Sequence, residues 1–321
     1  MDEIEIAIAA DEAYFPGLLV TAATIARNAS RNVKLNFHIL DGGIGNENFE
    51  TLISSLTLAH PYTTVNRFKI NDAAFSTLRT WNGSSRMAYA RILLPELLPS
   101  AQFAIYTDAD FLWTADIAEI WALRDHLAPL QAGIDQTSET LKKESLWFSR
   151  NNIPFNSQKY ICSGLMIMNL DSFRKENISK TLLQFLENHP DAPYIDQTAI
   201  NAAISGIKIL PQKWGMFARA YTKTNKNESY AMHFAGCAPW RSCRLTNALT
   251  DAHLKWFQTY SEITGLTHQK AYLKFLSPRE IIIRRAIWFI VRHKILRIPF
   301  FLFLTLARRS CYIPELKELS K

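Results

Sequence analysis

The stretch "IEIAIAADEAYFPGLLVTAATIARNA", residues 4 to 29, passes from strand-like alternation to the apolar spacing of a helix. Residues 4–10 predict a strand, since apolar side chains recur there at every second position. Residues 15–29 predict a helix, and Asp11 stands between the two elements. A strand that leads directly into a helix is typical of the βαβ units from which α/β folds are built.

The same order of elements is repeated further along the chain. Residues 34–40 predict a second strand, 47–56 a helix and 63–70 a third strand. Strands that alternate with helices predict a mostly parallel sheet flanked by helices. Ligands of such sheets bind beyond the carboxyl ends of the strands. Asp11 after the first strand, and Asp108 after the apolar residues "FAIYT", fall at ends of this kind.

Two acids, Asp108 and Asp110, lie among bulky apolar residues in "IYTDADFLW", residues 105–113. Short acids often cap the helix that follows a strand. Here, however, Asp116 and Glu119 form a capping box of their own for the next helix. The D-x-D spacing is a weak signal on its own, so metal binding and a structural role both stay open. An oxygen-rich site would suit Mg²⁺ or Mn²⁺, and an added imidazole would favour Mn²⁺.

A second stretch, "MHFAGCAPW" (232–240), contains a histidine that could complete such a site. A lone histidine is more commonly a core or surface residue than a ligand. His233 is followed by Gly236, which allows a close backbone approach, and by the rigid pair Pro239 and Trp240. These residue types suit a loop that folds against a phosphate.

Together the two stretches resemble the family 8 glycosyltransferases, which have a Rossmann-like GT-A fold and use nucleotide sugars. The nearest resemblance is to bacterial galactosyl- and glucosyltransferases that build lipopolysaccharide. It covers roughly residues 4 to 243 and rests on partial matches in the family's order. The matching stretches are "AADEAYFPGLLV", "AYARILLPELLP", "YTDAD", "GIDQ", "YICSGLMIMNL" and "YIDQTAIN". The second of these resembles the family's Y-A-R helix, and the last resembles its [QP]-D-Q segment at a strand end.

The resemblance implies a role for individual residues. Asp108, Asp110 and His233 would bind Mn²⁺ or Mg²⁺, as the family's metal ligands do. The implied catalytic and sugar-binding group consists of Gln197, Asp196 and Asp135. Within it, Gln197 would stabilise an ion-pair intermediate. The implied nucleotide-sugar site consists of Ala9, Asp11, Tyr14, Arg91, Asp108, Ala109, Cys162, Ser163, Gly164, Gly236 and Arg241.

This sequence departs from the family pattern at three places. Cys162 stands where the family usually has Asn, and Ala13 stands where some members have Asn near the base. The loop "HFAGCAPW" is one residue shorter than the family's H-F-x-G-x-x-K-P-W and lacks its Lys. Arg241 or Arg244 could supply the missing positive charge, although Arg is not a simple replacement for Lys.

The implied activity is the retaining transfer of galactose or glucose from a UDP-sugar to a saccharide or glycolipid acceptor, in lipopolysaccharide or another surface glycan. Front-face attack, with the leaving phosphate as base, is the expected mechanism.

Two rival functions stay open. A degenerate transferase would bind sugar nucleotides or glycans without turnover. A nucleotidyltransferase would need a basic Gly-rich loop after the first strand, where this chain has "AADEAYFPG". Simpler interpretations also remain: Arg91 in a surface ion pair, Asp196 as a cap, Trp240 in the core.

We expect three regions: a transferase domain at 1–245, a helical extension at 246–277 and a basic aromatic tail at 278–321. Residues 278–310 carry eight Lys and Arg against one acid, a net +7 that equals the charge of the whole chain. The remainder is neutral, which excludes a nucleic-acid partner for the body. The apolar run 298–307 is shorter than the ~20 residues that a membrane-spanning helix needs. The tail therefore predicts attachment to an anionic membrane surface, with a helix packed on the domain as the alternative.

The expected location is the cytoplasm, at the inner face of the plasma membrane. The chain begins with "MDEIEIAIAA", which lacks the basic and long apolar regions of a secretory signal. Its four cysteines form no C-x-x-C pair, so we expect reduced thiols.

Overall fold

The structure is a computed structural model, which describes residues 1–80, 86–220, 229–242, 250–276, 278 and 282. Arg244 and nearly all of the predicted membrane tail lie outside the described residues. Two compact units divide the chain, and they comprise residues 1–216 with 227–233, and residues 217–226 with 234–321. Among the described helices, none combines the length and apolar character that crossing a membrane requires. The boundaries expected near residues 245 and 277 stay predictions.

The described residues form ten strands and eleven α-helices. The strands are β1 (Asp2–Ala10), β2 (Val33–Asp41), β3 (Thr63–Lys69), β4 (Phe103–Thr107), β5 (Phe111–Trp113), β6 (Leu130–Ile134), β7 (Ile161–Asn169), β8 (Lys208–Ile209), β9 (Trp214–Phe217) and β10 (Ala231–His233). The helices are α1 (Phe15–Asn28), α2 (Asn46–Ala59), α3 (Leu94–Leu97), α4 (Ile117–Trp121), α5 (Ser138–Arg150), α6 (Leu170–Lys175), α7 (Ile178–Asn188), α8 (Ile195–Ala203), α9 (Pro239–Ser242), α10 (Asp251–Thr264) and α11 (His268–Leu273).

The main sheet has seven strands in the order β3-β2-β1-β4-β7-β6-β8. Strands β3, β2, β1 and β4 are mutually parallel, whereas β7 runs antiparallel to both of its neighbours. The predicted fold class, a Rossmann-like mostly parallel sheet flanked by helices, is therefore confirmed. The three strands and two helices predicted before residue 71 correspond to β1, β2, β3, α1 and α2.

The centre of the sheet is formed by strands that are buried on both faces. Ile4, Ile6 and Ile8 of β1 are each 0% exposed, and all five residues of β4 are buried. Burial on both faces explains why residues 6–10 of β1 and 103–106 of β4 are apolar throughout. Helix α1 begins with Pro16 in its first turn and then buries a run of small and aliphatic residues. Its small alanines allow close packing beside the sheet.

The strand pairing places the predicted site at one edge. Strands β1 and β4 are parallel neighbours, so Asp11 and Asp108 both follow carboxyl ends at the same edge. A second sheet has the order β5-β10-β9, in which β5 and β10 are antiparallel and His233 is paired with Phe111. This pairing brings His233 beside Asp110, which directly precedes β5.

Two local expectations need correction or refinement. "YIDQTAIN" was expected at a strand end, but Asp196 and Gln197 lie in the first turn of helix α8. The segment around Arg91 is helical as expected, although it is a 3₁₀ helix, Arg86–Leu93, that continues into α3. Asp116 caps α4 as predicted, because its side chain accepts a hydrogen bond from the backbone N–H of Ala118 at 2.9 Å.

Candidate active site

Asp108, Asp110 and His233 form a cluster that could hold a metal ion. One potential ligand atom from each residue lies within 4.8 Å of the others. Nε2 of His233 is 3.2 Å from Oδ1 of Asp110 and 3.9 Å from Oδ2 of Asp108. The histidine is 5% exposed. Two carboxylates from the loop between β4 and β5 thus converge with one imidazole from β10, which is far away in sequence.

The loop that carries the two acids is held by its neighbours through backbone hydrogen bonds. The N–H of Asp108 donates to the carbonyl oxygen of Gly164 on β7 at 2.7 Å. On α1, Oγ1 of Thr21 lies 2.9 Å from the carbonyl oxygen of Ala109 and 2.8 Å from that of Phe111. The same hydroxyl accepts a hydrogen bond from the N–H of Phe111 at 3.1 Å. Thr21 was not identified from the sequence, because a threonine within an apolar helix resembles any core residue.

The cluster fits a hard divalent cation. Oδ1 of Asp110 is buried and has an ion-pair contact with His233 but no well-aligned hydrogen bond from a described residue. A Cβ atom added to Gly164 would lie 2.5 Å from Cε1 of His233 and 3.0 Å from Oδ2 of Asp108. Glycine is therefore needed beside the ligands. Carboxylate oxygens with one imidazole nitrogen are ligands that suit Mn²⁺, and Mg²⁺ less well.

The electrostatics of the cluster favour an added positive charge. Burial raises the pKa of Asp108, although the guanidinium of Arg91 opposes this shift. Burial alone would lower the pKa of His233, but the carboxylate of Asp110 and the thiol of Cys162 raise it well above its usual value. The site thus attracts a proton, and a metal ion bound by the imidazole would displace that proton.

Arg91 lies behind the acid pair and is only 4% exposed, so it does not form a surface ion pair. Its Nη2 donates to Oδ1 of Asp108 at 2.8 Å, and its Nε is 3.3 Å from Oδ2 of Asp196. Nη1 donates to the carbonyl oxygen of Ser163 at 2.5 Å. The guanidinium also lies over the ring of Tyr106, 4.2 Å from its centre. One buried cation therefore binds two of the predicted site acids.

Asp135 and Gln197 form a second group through direct hydrogen bonds. Nε2 of Gln197 donates to Oδ2 of Asp135 at 3.0 Å, and its Oε1 accepts from the N–H of Ser163 at 3.1 Å. Oδ1 of Asp135 accepts from the N–H of Thr137 at 2.8 Å. Both ends of the Gln197 amide are thereby fixed. Burial raises the pKa of the adjacent Asp196 to about 6, against the opposing effect of Arg91.

The turn that presents these residues is strained. Ile195 has a φ of 43°, a left-handed conformation that is unfavourable for a β-branched residue. Such strain is concentrated at functional sites, where surrounding structure enforces it. The N-cap of α8 is Tyr194, so Asp196 is not the cap that was considered as an alternative.

Glu144 is a buried acid that the sequence analysis did not single out. It is 0% exposed, and its Oε1 accepts a hydrogen bond from Oγ1 of Thr198 at 2.6 Å. Burial raises the pKa of Glu144 to about 7. Helical spacing could have revealed it, since Thr140, Glu144, Trp147 and Phe148 share the buried face of α5.

The remaining candidate residues are distributed more widely. Cys162, Ser163 and Gly164 lie together on β7 beside the metal cluster. Asp11 accepts a hydrogen bond from the N–H of Tyr14 at 3.0 Å. Ala9 is a half-buried residue near the end of β1, and Ala109 is buried between the two acids. Gly236, with a φ of 65°, and the exposed Arg241 belong to the second unit. Trp240 is 7% exposed, which agrees with a core position. Binding of a nucleotide by these residues stays a prediction.

A Rossmann-like sheet with a D-x-D pair and a buried histidine at its carboxyl edge is typical of glycosyltransferases with the GT-A fold. The sequence profile described as Glycosyl transferase family 8 matches residues 5–243, and the chain belongs to that family. Glycosyl transfer is therefore its class of reaction, and the predicted family is confirmed.

Individual relatives agree with this assignment. General stress protein A of Bacillus subtilis is 24% identical over 265 residues, which cover 75% of this chain and 89% of the relative. Glycosyltransferase 8 domain-containing protein 1 of Xenopus laevis is 24% identical over 249 residues, which cover 70% of this chain and 65% of the relative. The galactosyltransferase LgtC, solved with donor and acceptor sugar analogues, has a TM-score of 0.67 at 20% identity. That alignment covers 85% of this chain and 100% of LgtC, which shows the shared fold.

Proposed function

We propose that this protein is a metal-dependent, retaining hexosyltransferase that moves galactose or glucose from a UDP-sugar to a saccharide or glycolipid acceptor. The observation that carries the proposal is the cluster of Asp108, Asp110 and the buried His233 at the carboxyl edge of the sheet. The similar protein LgtC was solved with donor and acceptor sugar analogues, which supports a donor and acceptor of this class. Synthesis of lipopolysaccharide or another surface glycan would be the biological setting.

Asp108, Asp110 and His233 would hold the divalent cation, Mn²⁺ or Mg²⁺. When bound, such a cation supplies Lewis-acid stabilisation of the negative charge that develops on a leaving diphosphate. Arg91 orients Asp108 through the hydrogen bond at 2.8 Å and adds positive charge of its own. Gly164 leaves room for the ligand side chains, because any Cβ there would meet them.

Retention of configuration is proposed to proceed by front-face attack, with the leaving phosphate as base. Retaining hydrolases use a carboxylate nucleophile instead. The corresponding position here is Gln197, an amide whose two ends are bound by Asp135 and by the backbone of Ser163. Its carbonyl oxygen can stabilise positive charge on the sugar but forms no ester. Asp135 and Asp196 would bind sugar hydroxyls and so influence the choice of donor.

Binding without turnover is the second candidate function, and Cys162 in place of the family's Asn favours it. Attachment to an anionic membrane surface through residues 278–310 is a further part of the proposal, supported by the composition of that segment. The cytoplasmic face of the membrane would then be the site of action.

The proposal is tested by a thermal-shift panel of UDP-galactose, UDP-glucose, UDP-N-acetylglucosamine and GDP-mannose, each with and without Mn²⁺. We expect a UDP-hexose to raise the melting temperature only when Mn²⁺ is present. Asp110→Asn and Asp108→Asn remove one charge each and should weaken Mn²⁺ binding by at least a factor on the order of 100. Release of free UDP then separates the transferase from a binding protein.

Asp171→Asn is the matched control, because Asp171 is an exposed acid on α6 whose side chain is 58% exposed. It undergoes the same chemical change and should leave Mn²⁺ binding as it is. If both site variants keep the wild-type response to Mn²⁺ and UDP-hexose, the proposed metal site is wrong.

A further inference from the structure

Cys162 contacts the metal cluster through the imidazole of His233. Its Sγ lies 3.7 Å from Nδ1 of that histidine, on the opposite side of the ring from the acids. The thiol is half-buried on β7, one residue before Ser163. The family resemblance would give position 162 an Asn in the sugar pocket. In this chain the side chain at that position contacts a metal ligand.

Two further contacts of the imidazole ring are packing contacts. The ring of Phe111 stacks on it with centres 4.3 Å apart and planes 13° apart. The backbone of Gly164 lies beside Cε1, so that even a Cβ would collide there. These contacts fix the plane of the ring, but apolar contacts do not determine which nitrogen carries a proton. A polar partner at Nδ1 does determine it.

We infer that Cys162 is the positioning residue of His233. The sulfur accepts the Nδ1–H hydrogen bond, so that Nε2, 3.2 Å from Oδ1 of Asp110, could offer its lone pair to a cation bound by both groups. Metal-binding histidines nearly always donate their second N–H to a carboxylate, a carbonyl or a water. A thiol sulfur is a weaker acceptor, and 3.7 Å is a normal length for such a bond.

The role of Cys162 in the reaction rests on the proposed function. Cys162 would control the affinity for the cation and leave the choice between galactose and glucose to other residues. If Cys162 instead replaced the Asn as a sugar contact, it would influence the choice of donor and leave the affinity for the cation unchanged.

The first experiment measures the affinity of the full chain for Mn²⁺ alone by isothermal titration calorimetry. Cys162→Ala removes the acceptor and should weaken binding roughly 10-fold, at the lower end of the range for partners of metal ligands. Cys162→Ser keeps an acceptor atom, and its affinity for Mn²⁺ should lie between those of the wild type and Cys162→Ala. Cys237→Ala is the matched control, since Cys237 is another half-buried cysteine, in the second unit, and should leave the affinity unchanged.

The second experiment measures turnover of UDP-galactose and UDP-glucose at saturating and limiting Mn²⁺. We expect Cys162→Ala to raise the Mn²⁺ concentration for half-maximal rate and to leave the ratio of the two donors unchanged. A changed donor ratio with wild-type Mn²⁺ affinity overturns the inference. If Cys162→Ala does not fold, the serine variant and Cys162→Asn decide by the same two readouts.

The two proposals fail in different ways. If Asp110→Asn abolishes Mn²⁺ binding and Cys162→Ala binds like the wild type, only the role of Cys162 is refuted. If Asp110→Asn binds Mn²⁺ normally, the metal site itself is refuted, and the role of Cys162 falls with it.

Discussion

Two groups of acids in the first unit differ in how their charge is compensated. Asp135 accepts hydrogen bonds from a backbone N–H and a side-chain amide, and Asp196 has an ion pair with Arg91. Asp108 shares that same arginine, whereas the cationic partner of Asp110 among the described residues is the imidazole of His233. Buried acids require a compensating charge or hydrogen bonds. The negative charge of Asp108 and Asp110 is compensated incompletely, and this is where the structure offers a place for a cation.

Arg91 is the residue on which both groups depend, and its removal should have the largest effect. Arg91→Met keeps much of the side-chain volume but leaves the buried Asp196 and the half-buried Asp108 without their guanidinium. Breaking a buried pair from one side costs about 3–5 kcal/mol. We expect urea denaturation at neutral pH to show a loss of this size in the free energy of unfolding.

Two control variants make this prediction specific. Arg31→Met changes an exposed arginine whose Nη1 donates to a single backbone carbonyl, and it should alter stability by less than about 0.5 kcal/mol. Adding Asp196→Asn to Arg91→Met removes one stranded charge and should restore part of the loss. Equal stability of the Arg91 and Arg31 variants would contradict the view that the two groups share one cation.

The fold and one of the two groups could be predicted from the sequence because their signals are local. Alternation followed by helical spacing identified β1, α1 and β2, and the D-x-D pair had no helix left to cap. The pairing of β5 with β10 could not be predicted, since it joins residues more than a hundred positions apart. The His-x-x-Gly loop nevertheless indicated His233 by residue type.

The second group was predicted by resemblance, and its geometry required the structure. No local pattern shows that Arg91 is buried between Asp108 and Asp196 or that Gln197 is bound at both ends. The D-Q pair was expected at a strand end, and only the fold places it in the strained first turn of α8. The conformation of Ile195 depends on tertiary contacts that neighbouring residues do not encode.

Glu144 sharpens the comparison, because it is an acid whose burial favours the protonated form. Its pKa is about 7 in the folded protein against 4.5 for an ordinary glutamate. The folded state therefore favours the protonated form. This contribution to stability is complete below about pH 4.5, declines as the pH rises and is lost above about pH 7. Glu144→Gln should be more stable than the wild type by up to about 3 kcal/mol at pH 8, and by less than about 1 kcal/mol at pH 5.

The measurement is urea denaturation of both proteins at pH 5 and pH 8. Glu139→Gln, on the same helix α5 but with a side chain that is 72% exposed, is the matched control and should show no such pH dependence. Mn²⁺ affinity should not respond to Glu144→Gln, since this acid does not belong to the metal cluster. A stability difference that is the same at both pH values would show that folding does not raise the pKa of Glu144.

Thr21 tests whether a hydroxyl on α1 holds the loop of Asp108 and Asp110 or only packs in the core. Thr21→Val keeps the shape and removes the hydroxyl that accepts from the N–H of Phe111 and contacts the carbonyl of Ala109, between the two acids. Thr24→Val is one helical turn further on and removes the acceptor for the N–H of Trp113. Each variant leaves a buried N–H without its partner, so both should lose about 1–2 kcal/mol of stability.

Mn²⁺ affinity separates the two variants, because only Thr21 touches the residue between the metal-binding acids. Calorimetric titration should show weaker binding for Thr21→Val, by a factor approaching the order of 10, and unchanged binding for Thr24→Val. The equal loss of stability makes the comparison informative, since general loosening of α1 against β5 would affect both variants alike. If both lose affinity equally, the acids depend on the packing of α1 as a whole. If neither does, the backbone bond from Asp108 to Gly164 suffices to hold the loop.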